Sequence, residues 1–169
     1  MKIYITGVSG VGKSSVAEML NKRGIYSIDI DGVEGLCHWI NNDTLEKSGW
    51  HSGMDSGWFE KHEYICDKEK LINLMSDQKD TVVVCGQAYN YSDLWNLFDK
   101  VFLLHCSEEI FIKRITERTS HDFGKHNSEK EMILGWYKDF EKDILNKGAI
   151  SINTDRPLAD VVDEIVSKF

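Results

Sequence analysis

The eight residues GVSGVGKS, Gly7 to Ser14, constrain this chain more than any other segment. They match the pattern G-x-x-x-x-G-K-[ST] and stand between an apolar run, KIYIT at residues 2–6, and a helical pattern with Val16, Met19 and Leu20 on one face. Gly7, Gly10 and Gly12 permit backbone conformations that turn successive N–H groups inward around an anion. The N-terminus of the following helix adds partial positive charge. The stretch Gly7, Val8, Ser9, Gly10, Val11, Gly12, Lys13, Ser14 and Ser15 is therefore expected to wrap the phosphates of a nucleoside triphosphate. Lys13 is placed to reach the β- and γ-phosphates, and the Ser14 hydroxyl to ligate Mg²⁺. A guanine-selective N-K-x-D element is missing, because Asn146-Lys147 is followed by Gly148-Ala149. ATP is the expected nucleotide.

Apolar runs and helical patterns alternate along the rest of the chain. Strands are expected at residues 2–6, 25–29, 81–85, 101–106 and 149–153; TVVVC at 81–85 and VFLLHC at 101–106 are β-branched or apolar runs too short for helices. Helices are expected after the glycine loop, from about Phe59 to Met75, from about Ser107 to Arg118, and around Met132 to Ile144. A final helix has Pro157 in its first turn and Leu158, Val161, Val162, Ile165 and Val166 on one face. Five strands buried on both faces and joined by helices imply one α/β domain with a parallel sheet and right-handed crossovers.

The 169 residues suffice to bury a core without disulfides or a structural metal. No apolar run approaches the roughly 18 residues of a membrane span, and MKIYITG enters a strand at once, leaving no room for a secretory signal. A cytoplasmic location is expected. Cys37, Cys66, Cys85 and Cys106 lie far apart in sequence with no C-x-x-C pair, which suggests neither a zinc site nor a redox motif. A net charge of −8 and no basic stripe argue against a nucleic-acid partner.

Ligands of open α/β sheets gather at the carboxyl ends of the strands. Those ends carry Asp29-Ile30-Asp31, Gly86-Gln87, Ser107 and Asn153-Thr154. Alternation along the second strand would send the Asp29 and Asp31 side chains to the same side. One carboxylate could then hold a Mg²⁺-bound water while the other accepts a proton from an attacking hydroxyl. Arg114 and Arg118, two of only four arginines, lie four apart on a helix that enters the polar segment TSHDFGKHNSE. That segment, about residues 118–130, has the composition of a lid, and lid arginines neutralise charge on a transferring phosphoryl group.

In these motifs the chain resembles the small P-loop kinases typified by adenylate, shikimate and gluconate kinases. The resemblance rests on GVSGVGKS, on the D-x-D of Asp29 and Asp31, on the R-x-x-x-R of Arg114 and Arg118, and on NTDRPLADVVDEI after the last strand. It implies a three-layer α/β/α P-loop NTPase fold with a five-stranded parallel sheet in the order 2-3-1-4-5. It further implies that Arg114 stacks on adenine, that Arg118 contacts the phosphates, and that Asp155, Arg156 and Pro157 border the base. Asp29 would act on Mg²⁺ through water, and Asp31 on the acceptor hydroxyl.

The acceptor region, about residues 32–78, departs from those relatives. CGQAYN follows the third strand, where shikimate kinases carry a glycine triplet. No arginine occurs between Gly24 and Lys113, and the lysines there (Lys47, Lys61, Lys68, Lys70, Lys79 and Lys100) are scattered. Trp39, Trp50, His51, Trp58 and Phe59 stand instead among glycine and serine. Aromatic faces suit a base or a sugar ring, and equally the core of this small region, two roles that are compatible; Gln87 and Asn90 are hydrogen-bonding candidates. The expected partner is a small-molecule acceptor, nucleoside-like or sugar-like, that lacks the charge an arginine clamp would need.

Overall fold

The computed structural model describes residues 1–78 and 80–169; Lys79 lies outside the described residues. Five strands form the main sheet: β1 (Lys2–Thr6), β2 (Ser27–Asp29), β6 (Val82–Cys85), β7 (Lys100–His105) and β8 (Ile150–Asn153). Their order is β2-β6-β1-β7-β8 and every pairing is parallel. Counted among themselves, these strands run 2-3-1-4-5, as the resemblance implied.

Alternation divides the sheet's side chains between two cores. Ile3, Ile5, Val83, Phe102 and Leu104 pack on one face with residues of α1 (Lys13–Lys22), α5 (Glu108–Glu117), α6 (Asn127–Asn146) and α7 (Leu158–Ser167). Tyr4, Ile28, Val82, Val84 and Val101 face the other way, toward α3 (Lys68–Ser76) and the short α4 (Tyr91–Leu94). Helices on both faces give the three layers. Among the described residues no helix is long and apolar enough to cross a membrane.

The region between β2 and β6 differs most from expectation. The helix expected from Phe59 to Met75 is two helices with a strand between them: α2 (Ser56–Glu60), β5 (His62–Cys66) and α3. β5 pairs antiparallel with β3 (Cys37–Asn41), which also pairs with β4 (Lys47–Ser48), making a second, three-stranded sheet. Pairing with β3 overrode the helical periodicity of residues 62–66. The punctuation was local: Asp55 accepts from Trp58 N at 2.8 Å, and Asp67 from Lys70 N at 3.0 Å, each capping a helix start. The β3–β4 turn is built on Asn41, whose side-chain oxygen accepts from Asp43 N and Thr44 N.

Other boundaries move slightly. β2 begins at Ser27 rather than Ile25, and Arg118 follows the last residue of α5. Residues 118–126 connect to α6, which starts at Asn127, so the last four residues of the expected lid are helical. Pro157 is the residue before α7 rather than part of its first turn.

Candidate active site

Gly12 precedes α1 with φ of 101°, in the left-handed region, and the helix begins at Lys13. Gly10 has φ of 87°, and a Cβ there would stand 2.6 Å from the Phe111 carbonyl oxygen of α5. Curvature and close approach together require glycine. The Lys13 Nζ donates to the carbonyl oxygens of Gly7 (2.7 Å) and Val8 (2.8 Å), leaving the third of its donors for a ligand oxygen. Ser14 and Ser15 lie exposed in the first turn of α1, where backbone N–H groups have no intrahelical partner. Ser9 to Ser15 line one end of a cleft of about 1830 Å³. Gly7 and Val8 lie behind it as the anchors of Lys13.

Asp29 and Asp31 both reach this cleft, by a different route from the expected one. β2 ends at Asp29, and residues Ile30–Gly32 form a single 3₁₀ turn. The turn is held by the Asp29 carboxylate accepting from Asp31 N at 3.3 Å. A second contact fixes Asp31: the Tyr64 hydroxyl of β5 donates to its Oδ1 at 2.9 Å. Oxygen donors from Ser14, Asp29 and Asp31 suit a hard cation such as Mg²⁺.

Burial pulls the Lys13 ammonium down to about 8; the Asp31 and Asp29 carboxylates oppose that shift, and Arg118 adds to it. The sign for ligand binding follows. Above about pH 8 the free protein sheds this proton, whereas a bound polyphosphate holds it in place. Triphosphate affinity is therefore expected to be flat below that pH and to fall about tenfold per unit above it. Calorimetry at pH 8.5 in buffers of different ionisation enthalpy should register proton uptake on ATP binding, and Lys13→Ala should lack it.

The two arginines diverge. Arg114 bonds Thr154 through both terminal nitrogens, to Oγ1 at 3.2 Å and to the carbonyl at 2.8 Å. Its guanidinium lines the cleft with Arg156, Leu158 and Val161, so a flat cation borders an apolar wall suited to a base. Arg118 turns inward, donating to Ser9 Oγ at 3.1 Å and to the Phe123 carbonyl, while its Nε–H is buried without a partner. Burial lowers its affinity for a proton and Asp31 restores part of it.

Asp155 and Pro157, expected beside the base, do not line the cleft. The Asp155 carboxylate instead accepts from Ser107 N at 3.2 Å at the start of α5, and Pro157 shapes the entry to α7. Arg156 does line the cleft, while its guanidinium is anchored to the Asn153 carbonyl (3.1 Å) and to Glu164.

Opposite the glycine loop, Trp39 is the hub of an aromatic cluster. Trp58, Phe59 and Tyr64 surround it at ring-centroid distances of 5.0, 5.7 and 5.4 Å, and Phe123 at 6.5 Å. These rings pack on one another, and Trp39, Trp50, Phe59, Tyr64 and Phe123 also present surface to the cleft. Gln87 lines it as expected. Gly86 does not: it is buried against Ile30, whose Cγ1 would be 2.2 Å from an added Cβ. Asn90 borders the cleft, but its amide is occupied at both ends by Cys66, accepting from N and donating to O at 2.9 Å each. It positions β5 with one N–H and one oxygen lone pair, which leaves its second N–H and second lone pair for other partners.

Three residues had escaped sequence reasoning. Tyr64 was hidden in a segment read as helix, Phe123 in a polar stretch, and Glu129 among surface-like charges. Glu129 is fully buried and accepts from the backbone N–H groups of Gly53 (3.2 Å), Gly124 (2.7 Å) and His126 (3.4 Å). Glu129 stands three residues after the N-cap His126, the spacing of a capping box, but with histidine in place of the usual Ser or Thr.

A parallel sheet whose first strand feeds a glycine-rich loop and a helix defines a P-loop nucleoside-triphosphate-binding protein. Comparison with known proteins gives the family. The AAA domain model matches residues 3–135, and the chain belongs to that family. A protein of Methanocaldococcus jannaschii named "Putative adenylate kinase" is 30% identical over 122 residues, which make up 70% of this chain and 59% of that protein. The aligned part is thus about three fifths of that relative's length. Among solved structures, the deoxyadenosine kinase of M. mycoides with bound dATP superposes with a TM-score of 0.63 at 20% identity, covering 99% of this chain and 98% of that one. The gluconokinase of Sinorhizobium meliloti 1021 gives 0.56 at 21% identity, covering 98% and 89%. The shikimate kinase of Aquifex aeolicus gives 0.57 at 16%, covering 99% and 95%. At these identities the structural likeness speaks for the fold.

Proposed function

We propose that this chain is an ATP-dependent kinase that transfers the γ-phosphate to a hydroxyl of a neutral or weakly charged acceptor, nucleoside-like or sugar-like. The observation that carries the reading is Asp31, held by Tyr64 at 2.9 Å in the same cleft as Lys13 and Arg118. With Oδ1 taken by Tyr64, Oδ2 is left to accept the proton of an acceptor hydroxyl as its oxygen attacks the γ-phosphorus. The bond from that phosphorus to the ADP oxygen breaks as the new one forms. Lys13 and the unpartnered Nε–H of Arg118 meet the charge spread over the phosphoryl oxygens. Ser14 and Asp29 would hold a Mg²⁺ ion, which would supply further neutralisation of phosphate charge. Arg114 stacks on the adenine, and closure of residues 118–126 excludes water.

The charge of the cleft supports a neutral acceptor. Its lysine and arginine lining residues are Lys13, Arg114, Arg118 and Arg156, all on the donor side. Lys47, Lys61, Lys68 and Lys70 stay outside it; Lys70 bonds the Glu34 carbonyl at 2.6 Å. An anionic acceptor such as a nucleoside monophosphate would meet Glu60 and Glu63, and among the described residues the lysines and arginines lining the cleft are all on the donor side. Trp50 adds a buried indole N–H without a partner, a donor of the kind a sugar or base would use.

The test is ADP production with a panel of nucleosides, sugars, nucleoside monophosphates and hydroxy acids. Activity confined to the anionic acceptors would overturn the acceptor class. ATP hydrolysis that no acceptor accelerates would favour the second reading, a P-loop ATPase module acting on a partner. Asp31→Asn is expected to lower turnover by ~10²-fold or more while ATP still binds; normal turnover would remove Asp31 as the base.

A further inference from the structure

Cys37 and Cys66, distant in sequence, are directly opposed across β3 and β5. The ladder's phase decides how close they come. Asp67 N donates to Leu36 O at 2.8 Å and Asn42 N to Lys61 O at 2.9 Å, so 36/67 and 42/61 are hydrogen-bonded pairs. Such pairs alternate along an antiparallel ladder, which makes 37/66, 39/64 and 41/62 the non-hydrogen-bonded ones. Side chains stand closest there. Trp39 and Tyr64 accordingly pack at 5.4 Å, and Asn41 and His62 approach to 3.4 Å. At such a pair the Cα atoms are about 4.5 Å apart, inside the range a disulfide spans.

The chemistry of the two sulfurs matches their placement. The two thiols influence each other: the neighbouring Cys66 and burial push the Cys37 thiol up, and the neighbouring Cys37 brings Cys66 down. Cys37 is half-buried, whereas Cys66 is 1% exposed at the end of β5. The other cysteines are not competitors: Cys85 and Cys106 pack in the opposite core, and Cys85 contacts Ser27 Oγ at 3.7 Å.

We propose that Cys37 and Cys66 form a reversible disulfide that clasps the acceptor-side sheet, a redox modification site whose oxidant is a small peroxide. The Cys66 sulfur, the one of the pair that loses its proton more readily, attacks one peroxide oxygen as thiolate and becomes a sulfenic acid as hydroxide leaves. The Cys37 thiol then attacks the Cys66 sulfur, its proton and the sulfenic hydroxyl depart as water, and the bridge closes with two electrons transferred to the peroxide. The bond joins the strands that carry Trp39 and Tyr64, so oxidation acts on the acceptor half and leaves the glycine loop covalently unchanged. This inference is independent of phosphoryl transfer.

The folded protein, treated with hydrogen peroxide and then alkylated, should lose about 2 Da before alkylation. It should yield one cross-linked peptide pair containing Cys37 and Cys66, reversed by dithiothreitol. Cys37→Ser should form no bridge. Stable oxygen adducts without the bridge, a bridge to Cys85 or Cys106, or a bridge formed only in denaturant would each overturn the proposal. Mapping on the unmutated chain keeps the test valid if the serine variant folds poorly.

Discussion

Arg118→Ala is expected to lower turnover by about 10³-fold while changing nucleotide affinity only a few-fold. The asymmetry follows from its contacts. Arg118 is tied to Ser9 Oγ in the glycine loop and to the Phe123 carbonyl, and its Nε–H has no protein partner. In the proposed complex the main chain of the loop and Lys13 would already hold the ground-state triphosphate. Arg118 adds most when charge moves onto the transferring phosphoryl oxygens, and a donor used only there affects kcat more than binding. Arg118→Lys should rescue little, because a compact ammonium cannot reproduce two contacts and a third free N–H set on one planar fork. Single-turnover measurements beside a nucleotide titration separate the cases. Equal losses in affinity and turnover would make Arg118 a binding residue, and no loss would exclude it from the reaction.

The second large effect is expected at Glu129, which touches no part of the proposed chemistry. Glu129→Ala should destabilise the fold by about 3 kcal/mol, since three backbone N–H groups would lose their acceptor in a buried setting. For a chain of this size that is a fall in Tm on the order of 10 °C. Glu129→Gln keeps one acceptor oxygen and should cost markedly less. Because Gly53 lies in the acceptor region and Gly124 in the 118–126 connection, the alanine variant should also raise the acceptor KM more than the ATP KM. An alanine variant as stable as the parent chain would mean that those N–H groups find other partners.

The donor half was legible because its chemistry is main-chain chemistry fixed by local sequence. Gly10, Gly12 and Lys13 lie where the motif places them, and the five sheet strands follow from short apolar or β-branched runs. The acceptor half was opaque for a physical reason. Whether residues 62–66 form helix or strand depends on the partner β3, which lies some twenty residues upstream and has little alternation of its own. Missing that pairing hid Tyr64, and with it the group that fixes Asp31. It also hid the meeting of Cys37 and Cys66, which sequence spacing alone had argued against. Asn90 lines the cleft, and its two bonds to the backbone of Cys66 add a positioning role that the sequence did not show.

The small sheet has a consequence of another kind. β2 and β6 are neighbours, paired from Ser27 with Val83 to Asp29 with Cys85, and everything from β3 to α3 lies between them in sequence. The chain leaves the main sheet and returns to it one strand away, so this excursion is a cassette with closely spaced ends. Exchanging it for the corresponding excursion of another protein of this fold should leave the nucleotide machinery in register. Selectivity for the acceptor could then diverge, or be engineered, without reinventing the site that holds the donor.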